Sequence, residues 1–134
     1  MSNYVLDTSA LLAYIENEEG ANEVEVLLLE GFDEKHTLYV SIVSLIEVYY
    51  ISSREQSLAI AMDRLEQINN LPVINETISN DIINVIGNIK ATCTMSFADC
   101  CIAGLAIQKA AILVHKDPEF EQVPHLQQHK LTYK

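Results

Sequence analysis

Four acidic side chains of this protein stand in or beside apolar segments, where water solvates a charge poorly. They are Asp7, Glu47, Asp99 and Asp117, in the segments YVLDTSALLAYI, VSIVSLIEVYYI, SFADCCIAGLA and AAILVHKDPEF. An ionised carboxylate in such surroundings costs several kcal/mol unless it is paired with a cation or binds a metal. Most of the eight Lys and Arg residues lie outside these segments. The four acids therefore predict a cation site built from carboxylates.

A site with only oxygen ligands suits hard divalent ions such as Mg²⁺ or Mn²⁺. Mg²⁺ usually binds through one or two carboxylates together with phosphate oxygens of a substrate. Four acids exceed the need of one ion, so the set suits two ions, or one ion and a general base. Such a site activates water and stabilises the leaving oxygen in phosphodiester hydrolysis.

Three of these acids also have a purely structural interpretation. Asp7 is suited to the N-cap of a helix, and Asp117 to a turn or cap before a proline. Asp99 is suited to the last position of a capping box that begins at Ser96. Taken one at a time, each acid fits either interpretation.

Glu47 is harder to explain structurally, because it stands in the middle of an apolar helical segment and caps nothing. A pairing with Arg54 or Lys90 remains open. Four coincidences of this kind are much rarer than one, which favours a shared site.

The pattern of apolar residues predicts strands that alternate with helices. Strands are predicted at Tyr4–Leu6, Thr37–Val40, Leu71–Ile74, Ala111–Val114 and Leu126–Thr132. Helices are predicted after Asp7, at 21–30 and 42–52, after Ser53, from Thr77, and from Ser96 to about Lys109, with a short helical turn at 119–122. This order predicts an α/β fold with a four- or five-stranded, mainly parallel sheet flanked by helices. Asp7 and Asp117 follow two of these strands, at the sheet edge where open α/β sheets bind ligands.

Composition predicts one globular domain over residues 1–134. Its length suits a single core, and 49% hydrophobic with 20% charged residues is typical of a folded chain. We expect a cytoplasmic protein without a membrane segment, because the N-terminus lacks a signal peptide and no segment is long enough to span a bilayer. The three cysteines include no C-x-x-C pair, so we interpret them as small core residues.

The formal charge of −11 argues against nucleic-acid binding, which usually requires a basic patch. The acids are unevenly distributed, however, since residues 1–34 hold nine Asp and Glu and no Lys or Arg. A divalent ion would offset this charge locally. Solubility, or attraction to a basic partner, is the other interpretation.

The segments LDTSALLAYI, SLIEVYY, SFADCCIAGLA and ILVHKDPEF resemble, in this order and spacing, the four motifs of PIN domains. The resemblance is to the VapC-type toxin ribonucleases of bacterial toxin–antitoxin pairs in particular, and it covers nearly the whole chain. It implies a Mg²⁺ or Mn²⁺ site formed by Asp7, Glu47, Asp99 and Asp117, of which Asp7 and Asp99 are the firmest ligands. It implies supporting roles for Thr8, Ser9 and Ser96. It further implies RNA as substrate, a homodimer, and inhibition by a small cognate antitoxin.

One position departs from the family pattern, because the last motif commonly has Thr or Ser where this chain has His115. We expect His115 to cap the strand end rather than to contact phosphate. His125 and His129 stand four residues apart, but in a predicted strand and tail, and we assign them no role.

Two other functions remain open. A non-catalytic PIN-like scaffold or binding module would use the acids only as a polar surface, although retention of all four argues against it. A phosphoryl-transfer domain with an aspartyl nucleophile would need Asp-x-Asp after the first strand, where this chain has Thr8-Ser9, or a lysine near the last strand, such as Lys116. The sequence favours a Mg²⁺- or Mn²⁺-dependent endoribonuclease, with Asp7 and Asp99 binding metal and Glu47 and Asp117 positioning a second ion or the attacking water.

Overall fold

A parallel sheet of five strands lies at the centre of the computed structural model, which describes residues 2–133. The strands are β1 (Ser2–Leu6), β2 (His36–Ser41), β3 (Val73–Glu76), β4 (Ile112–His115) and β5 (Gln127–Lys130). Their order in the sheet is β3-β2-β1-β4-β5, and every neighbouring pair is parallel. The predicted α/β fold with a mainly parallel sheet is confirmed.

Six α-helices connect and cover these strands in the described part of the chain. They are α1 (Thr8–Ile15), α2 (Ala21–Phe32), α3 (Ile42–Glu55), α4 (Leu58–Asn69), α5 (Ile83–Thr92) and α6 (Phe97–Gln108). Two short 3₁₀ turns occupy Asn80–Ile82 and Pro118–Gln122. None of the helices in residues 2–133 has the length and apolar character needed to cross a bilayer.

Two hydrophobic cores cover the opposite faces of the sheet. Successive residues of a strand point to opposite faces, so Val5 and Leu6 of β1 enter different cores, as do Leu113 and Val114 of β4. One core packs β1 and β4 against α5 and α6, and the other packs them against α1 and α2. Burial on both faces explains why these two strands read as continuous apolar runs.

The start of α5 differs from the prediction, which began a helix at Thr77. Residues 77–79 are not helical, a 3₁₀ turn follows at Asn80–Ile82, and α5 itself begins at Ile83. The Ser79 backbone is extended, and its hydroxyl donates to the Asp81 carboxylate. Ile78, which precedes this turn, is exposed.

Helices α5 and α6 approach each other closely at a glycine. A Cβ atom at Gly104 of α6 would lie 2.8 Å from Cγ1 of Ile86 on α5. Gly87 on α5 faces open space by contrast, with nothing within 4 Å of a Cβ atom. The absence of a side chain at Gly104 therefore allows these helices to pack.

The strand order creates a crevice at the carboxyl ends of β1 and β4. From β1 the sheet extends through β2 and β3 on one side and through β4 and β5 on the other. Ligands bind at such a switch point in open α/β sheets. The backbone N–H of Asp7 donates to the Val114 carbonyl oxygen at 3.1 Å, so the ends of these strands lie side by side.

Candidate active site

Asp7, the residue after β1, is the N-cap of α1 and also lies near other acidic side chains. Its side chain is almost fully buried, with 3% of the residue exposed. Its Oδ1 accepts the Ala10 N–H at 2.8 Å and the Ser9 hydroxyl at 2.7 Å. The pKa of Asp7 is raised from 3.8 to about 7, first by burial and then by the negative charges of Asp99 and Asp117, against the lowering effect of these hydrogen bonds.

Glu47 projects from α3 and bonds to hydroxyl groups. Its Oε1 accepts the Thr8 hydroxyl at 2.6 Å, and its Oε2 accepts the Tyr50 hydroxyl at 3.3 Å. The pairings left open by the sequence are not formed, since Arg54 lies over the Tyr50 ring and Lys90 donates to a backbone carbonyl oxygen. The Thr8 bond connects Glu47 to the residue that follows Asp7.

Asp99, Asp117 and Glu119 form the most compact group of acids. One carboxylate oxygen from each lies within 4.8 Å of the others, and this is the one such group of three potential metal ligands in residues 2–133. Asp99 comes from the first turn of α6, and Asp117 and Glu119 flank Pro118. The pKa of Asp99 is raised to about 6, first by burial and then by the charges of neighbouring acids that include Asp117 and Glu47.

Glu119 is the member that the sequence analysis missed. It is exposed and lies in a polar turn, so its surroundings give no sign of a poorly solvated charge. The Asp-Pro-Glu sequence could have indicated its position, because the side chain of an Asp at a turn often accepts the backbone N–H two residues later. Asp117 Oδ1 does accept the Glu119 N–H, at 2.9 Å, and this bond brings the two acids together.

The four predicted acids differ in their surroundings. Asp99 and Asp117 lie in the compact group, whereas Asp7 and Glu47 lie outside it and are linked to it through their charges. We expected all four to be poorly solvated, but only Asp7 is buried and the others are partly exposed. Asp117 is both a cap and a member of the compact group, and Asp7 is a cap whose pKa is raised by charges of that group.

Each of the three hydroxyls predicted to support the site contacts one of these acids. Thr8 bonds to Glu47, and Ser9 donates to both oxygens of Asp7. The Ser96 oxygen accepts the Asp99 N–H at 3.1 Å, which forms one half of the expected capping box. These contacts restrict the rotamers of the acids.

Two basic residues near the end of β4 have structural contacts. Lys116, on which the phosphoryl-transfer interpretation depended, donates to the Glu19 carbonyl oxygen at 2.8 Å in the loop between α1 and α2. His115 is fully buried, which excludes direct contact with a substrate phosphate.

The acids suit a hard divalent ion. Within residues 2–133 none of the five carboxylates forms an ion pair with Lys, Arg or His. Their charges instead raise the pKa values of Asp7 and Asp99, so a bound cation would relieve their repulsion. An oxygen-only donor set matches Mg²⁺ or Mn²⁺.

A family model described as PIN domain matches residues 4–126, and the chain belongs to this family. The fold is similar to that of VapBC2 from Rickettsia felis bound to a DNA fragment from its promoter, with a TM-score of 0.79, 20% identity and coverage of 97% of this chain and 99% of that chain. For VapBC-1 from nontypeable Haemophilus influenzae the TM-score is 0.74 at 20% identity, with coverage of 96% of this chain and 97% of that chain. For Mycobacterium tuberculosis VapC20, a sarcin-ricin loop cleaving toxin, the TM-score is 0.68 at 14% identity, with coverage of 88% of this chain and 92% of that chain. The identification as a VapC-type PIN domain is confirmed at the level of the fold.

A comparison with curated protein sequences found no match.

Proposed function

We propose that this protein is a Mg²⁺- or Mn²⁺-dependent endoribonuclease that hydrolyses RNA phosphodiester bonds, and that it is the toxin of a type II toxin–antitoxin pair. The observation that carries the proposal is the convergence of unpaired carboxylates on the crevice beside β1 and β4. Three of their oxygens lie within 4.8 Å of one another, and two of the acids have raised pKa values. A structural cluster of acids would be paired with cations, whereas a metal site leaves them unpaired.

Each acid of the site has its own role in the proposed reaction. Asp99, Asp117 and Glu119 would bind the ion together with Asp7. When bound, a divalent ion supplies positive charge to the scissile phosphate and lowers the pKa of a water molecule. Glu47, oriented by the Thr8 hydroxyl, accepts a proton from the attacking water or orients it.

RNA as the substrate is supported by an aromatic ring next to the acids. The Tyr50 ring is exposed, bonds to Glu47 and has the Arg54 guanidinium 5.2 Å from its centroid. Exposed aromatic and Arg planes stack on the bases of unpaired RNA. The chain as a whole carries a charge of −11, which makes binding of a polyanion dependent on the metal.

Two apolar surfaces are suited to the two protein partners that the family resemblance implies. A groove of about 300 Å³ between α3 and α4 is lined by Ile42, Leu45, Ile46, Tyr49, Leu65 and Asn69. An acidic pocket of about 520 Å³, which includes Glu16, Glu55 and Asp117, lies on another face of α3, where Ile51 and Glu55 line it. We assign a small antitoxin to these two faces of α3, with apolar side chains for the groove and basic side chains for the pocket.

The second apolar surface lies on α5 and the start of α6. Its groove of about 460 Å³ is lined by Ile78, Ile83, Ile86, Gly87, Lys90, Ala91 and Phe97. It lacks acids, so two copies can face each other here without the repulsion that a chain of this charge otherwise generates. We assign the homodimer contact to this surface.

The test is cleavage of RNA by the purified protein. With Mg²⁺ or Mn²⁺ it is expected to cut a single-stranded RNA, and chelation is expected to stop the reaction. Asp7→Asn and Asp99→Asn are each expected to lower the cleavage rate at least a hundredfold, since removal of one group that stabilises transition-state charge has about this effect. Asp63→Asn, an exposed acid on α4, is the matched control and retains full activity.

The same measurements separate the enzyme from the non-catalytic scaffold. A scaffold cleaves no RNA with either ion and gives the same result for all three variants. Undiminished, chelator-sensitive cleavage by both Asp7→Asn and Asp99→Asn, with their folds intact by circular dichroism, would contradict the assignment of these acids to the site.

A further inference from the structure

The last residue of β4, His115, lies inside the protein directly beneath the acidic cluster. Its side chain is 0% exposed, and its ring packs against Phe120 with centroids 4.8 Å apart and against Tyr133 at 6.0 Å. The carbonyl oxygen of His115 also accepts the Leu131 N–H at 2.8 Å. The imidazole therefore has one position, fixed by strand pairing and by aromatic contacts.

The hydrogen bonds of this ring define which nitrogen carries the proton. The Asp117 backbone N–H donates to Nδ1 at 3.0 Å, so Nδ1 is unprotonated, because a backbone N–H only donates. The proton of the neutral ring then lies on Nε2, which is 2.9 Å from Oε1 of Gln128 on β5. Nε2 of Gln128 in turn donates to the Phe120 carbonyl oxygen at 3.3 Å, and this bond leaves Oε1 of the amide directed towards the imidazole.

The backbone after β4 is fixed by side chains at two consecutive amides. The Lys116 N–H donates to the Ser9 oxygen at 3.0 Å, and the Asp117 N–H donates to His115. Ser9 also donates to Asp7, so the same turn is connected to the acid that follows β1. The Asp117 carboxylate then accepts the Glu119 N–H. A rotation of the Asp117 backbone would move both carboxylates of this turn.

We propose that His115 is a positioning residue for the acidic site. Its neutral ring, with the proton on Nε2 directed to Gln128, fixes the Asp117 amide and thereby the positions of the Asp117 and Glu119 carboxylates. A serine or threonine at this position would accept the same N–H but is too short to reach β5. The imidazole therefore couples the site to the edge strand and controls its affinity for a divalent ion, an inference that rests on the proposed function.

Two substitutions at His115 separate this role from simple core packing. In His115→Asn the amide oxygen takes the position of Nδ1 and retains the acceptor for Asp117. In His115→Gln the amide reaches the position of Nε2 instead and leaves the Asp117 N–H without its partner. Both variants lose the aromatic ring, so thermal unfolding is expected to show similar destabilisation. Only His115→Gln is expected to bind Mn²⁺ more weakly, by about tenfold or more, the usual effect of losing a group that orients a ligand.

Mn²⁺ affinity is measured by titration with electron paramagnetic resonance of the free ion, independently of cleavage. Gln128→Met, which removes the acceptor for Nε2 but leaves the Asp117 N–H bonded to Nδ1, is expected to bind Mn²⁺ with the affinity of His115→Asn. Nitrogen-15 NMR of the unsubstituted protein is expected to report an unprotonated Nδ1 and a protonated Nε2.

The following outcomes would contradict the positioning role of His115. A proton on Nδ1, or Mn²⁺ affinity that falls equally in His115→Asn and His115→Gln, overturns the positioning role. Equal, undiminished affinity in all variants overturns it too, while leaving the proposed metal-dependent function intact. An unsubstituted protein that does not bind Mn²⁺ overturns both.

Discussion

At the end of β1, the carboxylate of Asp7 caps a helix while facing other negative charges. Its hydrogen bonds to Ser9 and Ala10 stabilise the ionised form, but burial and the neighbouring acids outweigh them and raise its pKa to about 7. The folded protein without metal therefore retains a proton on Asp7 over a pH range in which the unfolded chain has lost it. Binding of a cation has to displace this proton.

This pKa shift has a predictable effect on stability. An unfolded Asp7 ionises near pH 3.8, whereas the folded one ionises near pH 7. Between these values the folded state binds more protons, so the free energy of unfolding of the metal-free protein falls as pH rises through this window and stays low above it. Asp7→Asn is expected to remove this loss, and to be more stable than the unsubstituted protein at pH 8 by roughly 1–4 kcal/mol.

Urea unfolding in the presence of a chelator at pH 4 and pH 8 measures this effect. The two proteins are expected to differ little at pH 4, and the control Asp63→Asn should match the unsubstituted protein at both values. A lower stability of Asp7→Asn at pH 8 would mean that Asp7 serves the fold more than the site.

The apolar surroundings of single residues were sufficient to find four of the five acids. Glu119 escaped because its proximity to Asp99 and Asp117 depends on a turn of the backbone rather than on its own environment. The contact of His115 with the Asp117 N–H was equally hidden, since it depends on a side chain that reaches forward past the end of its own strand. The sequence around a residue indicates how well its side chain is solvated, but it does not indicate which groups the folded backbone brings into contact.

At the scale of helices and strands, periodicity was informative for a physical reason. Strands buried on both faces are apolar throughout, and β1 and β4 were found for this reason. Edge strand β3 was found two residues early, because Leu71 and Pro72 continue the apolar run before pairing begins. The boundary at Thr77 was wrong, since the Ser79 backbone is extended and a 3₁₀ turn at Asn80–Ile82 precedes α5, features that hydrophobic periodicity does not report.

The packing of α5 against α6 predicts opposite effects for two glycines. Gly104→Ala inserts a methyl group 2.8 Å from Ile86, and we expect a loss of about 1–3 kcal/mol in the free energy of unfolding. Gly87→Ala faces open space within a helix, and we expect a gain of roughly 0.5–1 kcal/mol, because alanine restricts the unfolded chain and favours helix.

Chemical denaturation of the two variants side by side measures both signs. Because both changes are Gly→Ala within helices, helix propensity acts equally on each, and the difference between them isolates the contact with Ile86. Equal effects of the two substitutions would show that this contact does not limit the packing.

The molecule as a whole presents two apolar grooves, one between α3 and α4 and the other on α5 and the start of α6. We expect the protein to form a homodimer in solution through the surface on α5 and α6. Ile83→Asp introduces a charge at its centre, at a residue that is 60% exposed, and is expected to convert the dimer to a monomer because burial of an unpaired carboxylate is costly.

Size-exclusion chromatography with light scattering determines the mass. Ile46→Asp is the matched control, since Ile46 is 57% exposed on α3, and this variant is expected to remain a dimer. A monomeric Ile46→Asp together with a dimeric Ile83→Asp would assign the homodimer to the opposite side of the molecule.

The pairing of β1 with β4 has a consequence for biosynthesis. Ser9 and the Lys116 amide, whose hydrogen bond connects the two halves of the crevice, are 107 residues apart in the chain. A ribosome that has released β1, α3 and even α6 has therefore delivered Asp7, Glu47 and Asp99, but neither β4, which pairs with the other side of β1, nor the turn that carries Asp117. A nascent chain, or any product of premature termination before this turn, contains most of the acids and no assembled site. The candidate site therefore assembles only after β4 and the turn that follows it have left the ribosome.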